Sequence, residues 1–162
     1  MEIDLELYRK QVRLPAPSGV RLSAIDISPD FPEHTLVFIH GYGGQASQWL
    51  YQLREFSDKN RAIAFELRGH GKSEKPHGRY TMDELQADLL ALLDSLGVNE
   101  PFTCIGHSFG GAIASEFAVR YPQRIERLVL IATAGEFRLN PPSRLLLRLA
   151  DLLASHREEL AQ

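Results

Sequence analysis

Continuous apolar strands alternate with amphipathic helices along this chain of 162 residues, and glycine-rich loops follow three of the strands. Together these predict an α/β fold, a mostly parallel sheet covered by helices on both faces. A strand buried on both faces reads as an unbroken apolar run, and parallel neighbours need a crossover long enough to hold a helix. A compact chain of this size buries roughly 70% of the surface its unfolded form exposes. Its core therefore needs neither disulfide nor metal, in keeping with the single cysteine.

The elements follow in order. Alternating segments at residues 5–14 and 20–27 flank Pro15-Ala16-Pro17-Ser18-Gly19 and predict a hairpin of two antiparallel strands. After a loop at residues 29–34, Thr35-Leu36-Val37-Phe38-Ile39 is a buried strand that stops at His40-Gly41. A helix is expected over residues 48–56, a buried strand at Ala62-Ile63-Ala64-Phe65, and a loop crowded with Gly and Pro as far as Gly78. Thr81, with Glu84 three residues on, forms a capping box. It opens a helix over residues 82–96 in which Leu85, Leu89, Leu92, Leu93 and Leu96 share a stripe, closed by Gly97. Phe102-Thr103-Cys104-Ile105 is the next buried strand, a small-residue helix from Ser108 ends at Pro122, and residues 128–131 form a further buried strand. Asn140-Pro141-Pro142 opens a last helix with Leu145, Leu149, Leu152 and Leu153 on one face. Right-handed crossovers then wrap helices over both faces.

Eighteen Lys and Arg against 21 Asp and Glu give a formal net charge of −3, with neither sign gathered into a run. That argues against nucleic acid as the main partner. No apolar run approaches the roughly 18 residues of a membrane helix. The acidic start lacks the apolar region of a secretory signal, so a cytoplasmic location is expected.

The chemistry concentrates in loops at the carboxyl ends of buried strands, where ligands sit in open α/β sheets. Gly106-His107-Ser108-Phe109-Gly110-Gly111 matches G-x-S-x-G directly between an apolar strand and a helix. A serine on so sharp a turn needs neighbours without side chains, which Gly106 and Gly110 provide. At a helix N-terminus it also sits among free N–H groups that favour negative charge. The alternatives are an ordinary capping serine and a phosphate-binding loop, but G-x-x-x-x-G-K-[ST] is absent.

Three motifs in register resemble the α/β-hydrolase fold family: H-G-x-G-G at His40 to Gly44, x-L-R-G-H-G-x-S at Glu66 to Ser73, and G-H-S-x-G-G at Gly106 to Gly111. The chain is similar to the N-terminal two-thirds of such a protein, with strands 7 and 8 missing. The resemblance implies a core at residues 1–135 through the sixth strand and the start of a helical cap at residues 136–162. It further implies a nucleophile at Ser108, an oxyanion hole from the backbone N–H groups of Tyr42 and Phe109, and neither metal nor organic cofactor. The substrate would be a small ester, thioester or related acyl compound. Glu66 stands where relatives usually carry Asp and is read as structural. A serine at the elbow disfavours the dehalogenase and epoxide-hydrolase branches, which use Asp there.

Other residues read as structural. Cys104 is a core residue, His40 and His70 hold their loops, and His107 points away from its neighbour Ser108. His34, His77 and His156 lie at the surface, and Asp88 and Asp94 are solvated on their helix. Phe109, Tyr42 and Trp49 fit an apolar acyl site or core packing equally. Glu136 stands several residues beyond the last strand, and the leucine-rich helix after it belongs to a cap or core rather than to a membrane surface.

A working triad needs a base and an acid to orient it. No histidine stands at the right place. Either the chain is a fragment, or a partner chain supplies the rest, or it is a non-catalytic binding or scaffold module. Losing the base costs on the order of 10⁶ in turnover, so the chain alone is expected to be nearly inactive.

Overall fold

The computed structural model describes residues 4–78 and 80–133. Within them six strands, β1 (Arg9–Arg13), β2 (Arg21–Ile27), β3 (Thr35–Ile39), β4 (Arg61–Glu66), β5 (Phe102–His107) and β6 (Ile125–Ile131), form one sheet in the order β1-β2-β4-β3-β5-β6. Only β2 runs against the others: it is antiparallel to both of its neighbours, β1 and β4, while β4, β3, β5 and β6 are mutually parallel. The parallel sheet covered by helices is therefore the observed architecture.

Strand order sets which face each helix covers. The chain moves one way from β3 to β4, then crosses back over β3 to β5 and on to β6. With right-handed crossovers, opposite directions of travel put the helices on opposite faces. Accordingly α1 (Leu50–Phe56) packs on one face with Phe38, Ala64 and Ile105, while α2 (Met82–Ser95) and α3 (Phe109–Arg120) pack on the other with Val37, Ile63 and Cys104. Neighbouring residues of β2, β3, β4 and β5 alternate between the two cores, as the pleat requires. The reversal of direction falls at β3 and β5, so the loops leaving these two strands flank the crevice where α/β sheets bind ligands.

The local signals hold well. The β3 bounds match expectation, and the capping box at Thr81 and Glu84 is present. Leu85, Leu89, Leu92 and Leu93 are buried under α2, whereas Leu96 is the C-cap and only partly covered.

Three expectations need correction. Residues 5–8 are not strand: Leu5–Tyr8 forms a 3-10 turn, because the Asp4 side chain accepts the Glu6 N–H and Leu5 tucks into the α1-side core. Its alternation gave the period of a strand, but Leu7 is exposed. The helix expected from residue 48 opens as a 3-10 turn, Ala46–Trp49, before α1 begins. Finally, β6 is not buried. Leu128, Val129, Leu130 and Ile131 are 38 to 45% exposed, since β5 alone borders it among the described residues. The helix expected after Pro142, the cap at residues 136–162, Glu136 and His156 lie outside the described residues.

Candidate active site

Ser108 occupies the single residue between β5 and α3. Its φ of 52° and ψ of −118° are strained for any residue with a side chain. Missing side chains on both sides make the turn possible. A Cβ on Gly106 would meet the Gly110 carbonyl and the Gly111 Cα at 2.5 and 2.6 Å. A Cβ on Gly110 would run into the backbone carbonyls of Ile39 and His40. The first turn of α3 thus lies backbone to backbone against the end of β3.

The loop after β3 reaches the same point. A Cβ on Gly41 would stand 3.2 Å from the Ser108 Cβ, which puts the His40 to Gly44 loop beside the elbow. Tyr42, next in the chain, is 86% exposed and meets the His70 ring edge-on at 5.9 Å. Neither the Tyr42 N–H nor the Phe109 N–H has an acceptor among the described residues, and the Ser108 hydroxyl likewise has no hydrogen-bond partner among them. Of the three aromatic residues that fitted an acyl site, Trp49 is core, packed on Phe38 with ring centroids 5.1 Å apart. Phe109 is partly buried against the α2-side core.

The nearby histidines are committed to backbone and side-chain partners. An N–H can only donate, so the Leu67 N–H at 3.1 Å from His40 Nε2 makes that nitrogen the acceptor, and Nδ1–H donates to Gly41 O at 2.7 Å. Burial, the largest influence, holds the His40 pKa below the ordinary imidazole value, against the upward pull of the Gly41 bond. The same logic fixes His70: Nε2 accepts the Gly43 N–H at 3.2 Å and Nδ1–H donates to Arg68 O at 3.1 Å. His107 Nδ1 faces the Gln48 amide nitrogen at 3.0 Å. His34 and His77 are exposed. Cys104 is fully buried and its thiol is pushed up to about 12, so it carries no nucleophile.

The loop after β4 is a tie. One Glu66 oxygen accepts the Ala46 N–H at 3.3 Å and the other the Lys72 N–H at 2.7 Å, with the Arg9 guanidinium 3.4 Å away. Gly71, at φ +49°, wraps so closely that a Cβ there would land on the Glu66 carboxyl group. The acid in this motif therefore binds three segments together. Asp88, expected in solvent, is buried: Arg68 donates to its two oxygens at 2.6 and 2.8 Å, and Ser18 donates to one at 2.8 Å. Asp94 is exposed as expected. A signal for Asp88 was present, since it lies three residues after Leu85 and four before Leu92, on the apolar stripe itself. Gln48 and Thr133, which touch the elbow residues, carried no comparable signal.

A family model described as alpha/beta hydrolase fold matches residues 34–156. Epoxide hydrolase 1 of Caenorhabditis elegans is 35% identical over 123 residues, covering 74% of this chain and 30% of that protein. The 3-oxoadipate enol-lactonase 2 of Acinetobacter baylyi is 36% identical over 101 residues, covering 62% of this chain and 38% of that one. A solved hydrolase from Pseudomonas aeruginosa superposes with a TM-score of 0.76 at 32% identity, over 90% of this chain and 52% of its own. The chain thus spans about a third of the length of these curated relatives and about half of the solved hydrolase.

Proposed function

Because the chain belongs to the alpha/beta hydrolase fold family, we propose that it carries the nucleophile half of a serine hydrolase acting on an ester, thioester or related acyl substrate. The main support is Ser108 itself, held at φ 52° on a turn between a buried strand and a helix N-terminus, its hydroxyl without a partner among the described residues. Ser108 Oγ would attack the carbonyl carbon, and the N–H groups of Tyr42 and Phe109 would receive the oxyanion. One such donor is worth roughly 3 kcal/mol in acyl transfer. Collapse of the tetrahedral adduct expels the alcohol or thiol with a proton, and water then frees the acid from the acyl-serine. His40 and His70 have both ring nitrogens engaged and are not the base that takes the Ser108 proton; in this reading the base is supplied from outside the described residues.

The likeness to an epoxide hydrolase is read as one of scaffold. A serine oxygen opening an epoxide leaves an alkyl ether, which water does not cleave under mild conditions; an acyl-serine is an ester, which it does. The nucleophile's chemistry therefore favours acyl substrates.

A fluorophosphonate probe followed by peptide mass spectrometry tests the proposal. The folded protein, extended by whatever sequence its gene supplies after Gln162, is expected to be labelled at Ser108, and Ser108→Ala to lose the label. A second reading, a binding module on the same scaffold, is supported by the engagement of both ring nitrogens of His40 and of His70. It predicts a folded complete protein whose Ser108 stays unlabelled.

A further inference from the structure

Both backbone polar groups of Ser108 are held by the end of β6. Its N–H donates to Ile131 O at 2.9 Å, and its carbonyl accepts the Thr133 hydroxyl at 2.8 Å, alongside the Gly111 N–H at 2.9 Å and a longer bond from the Ala112 N–H at 3.4 Å. Between the two β6-end contacts lies Ala132 at φ 48°, with Ser108 one of the two non-glycine residues in the left-handed region among the described residues. Such backbone persists only where its surroundings over-determine it. The turn brings Thr133 back over the first turn of α3. The fit is close: a Cβ on Gly111 would meet Thr133 Cβ at 2.5 Å and Oγ1 at 2.6 Å.

The peptide that Thr133 grips has a second end. The Ser108 carbonyl and the Phe109 N–H belong to one planar unit, so fixing the oxygen fixes the direction of the N–H. A hydrogen bond to the carbonyl also polarises the unit and strengthens its N–H as a donor. We propose that Thr133 is a positioning residue for the nucleophile elbow: its hydroxyl, delivered by the Ala132 turn, locks the peptide joining Ser108 to Phe109 and so aims the Phe109 N–H at the oxyanion site. This rests on the serine-hydrolase reading above for the use to which that N–H is put. The Gly111 N–H shares the same carbonyl, so the Thr133 contribution is a refinement of aim, and its loss slows reaction without abolishing it.

Thr133→Val and Thr133→Ser in the full chain separate the hydroxyl from the side-chain volume. The expected result is an approximately tenfold slower maximal rate of Ser108 phosphonylation in Thr133→Val with unchanged probe affinity, and recovery in Thr133→Ser. The Phe109 amide nitrogen resonance is expected to move in Thr133→Val and return in Thr133→Ser. If Val is not accommodated beside Gly111, Thr133→Ala removes the same hydroxyl with less demand for space. Unchanged rate with an unmoved Phe109 resonance overturns the proposal, as does failure of Ser to restore what Val removes. Absence of labelling in the folded wild type would instead count against the hydrolase reading, and the Phe109 resonance then decides alone whether Thr133 sets that peptide.

Discussion

The loops after β4 and β5 look alike on paper, each built on Gly and His beside a short polar residue, yet they are finished in opposite ways. After β4 the Glu66, Arg68, His70 and Ser73 side chains are all engaged. Ser73 accepts the Ser23 N–H at 2.9 Å and donates to Glu66 O at 2.5 Å, and Arg68 is closed by Asp88 and Glu84. After β5 the backbone of Ser108 is held firmly and its hydroxyl is left without a partner among the described residues. Saturated polar groups stabilise; an unsatisfied one on a strained turn is available for chemistry. Motif letters alone do not separate the two, and the hydrogen-bond inventory does.

The contrast can be broken by mutation. The largest effect is expected from Asp88→Ala, which leaves the buried Arg68 guanidinium without its main partner. Loss of one member of a buried pair costs about 3 to 5 kcal/mol, so the urea midpoint should fall sharply with an unchanged slope. If Asp88→Ala kept full stability but altered Ser108 reactivity, the β4 loop would not be a structural tie.

Gly110→Ala comes next, because its Cβ meets backbone carbonyls that cannot rotate away. Overpacking of this kind costs about 1 to 3 kcal/mol, and here it should depress both the melting temperature and Ser108 labelling. A smaller effect is expected from acid. His40 has a lowered pKa in the fold, so below about pH 6.5 the unfolded chain binds a proton that the fold refuses. Burial alone would raise Asp26, but hydrogen bonds from Arg61 and Lys10 hold it below the usual carboxylate range, and its contribution is lost on further acidification through that lowered pKa. Both signs agree: stability measured by denaturation should decline steadily from neutral pH downward, by no more than about 1.4 kcal/mol per pH unit for each group. Replacing His40 by a non-titrating residue should remove the first part of that decline.

The smallest effect sharpens the other side. Ser108→Gly relieves left-handed strain of about 1 to 3 kcal/mol and gives back about 0.5 to 1 kcal/mol in chain entropy. A net gain of about 1 kcal/mol, read as a raised melting temperature in a variant that no longer labels, would mark the serine as kept for reactivity at a cost in stability.

Where a signal was local, the sequence carried it: β3 in four consecutive apolar residues after Thr35, α2 in its capping box, the elbow in two glycines around one serine. Where structure depends on a distant partner, local pattern failed. The segment at Leu5 to Tyr8 has the period of a strand, but its conformation is decided by the Asp4 cap and by the packing of Leu5 into the α1-side core. Asp88 looked like a surface acid because Arg68, twenty residues away, is what makes its burial tolerable. The full apolar character of β6 marked a strand, and its exposure follows from its place beside β5 alone among the described residues, since burial belongs to whatever lies beside it. Thr133 touches Ser108 across 25 residues, and no spacing rule links them.

The contact made at Gly110 has a further consequence. With α3 seated directly on the last carbonyls of β3, the two loops that would face a substrate share one frame and cannot drift apart as independent hinges. Their mutual geometry is settled during folding, before any ligand arrives, and on the serine-hydrolase reading none of it would have to be reorganised at the moment of reaction. A frame of that kind is a fixed reference, tolerant of change elsewhere and intolerant of change in itself. It is the sort of part that an epoxide hydrolase and an enol-lactonase can hold in common while differing in what they act upon.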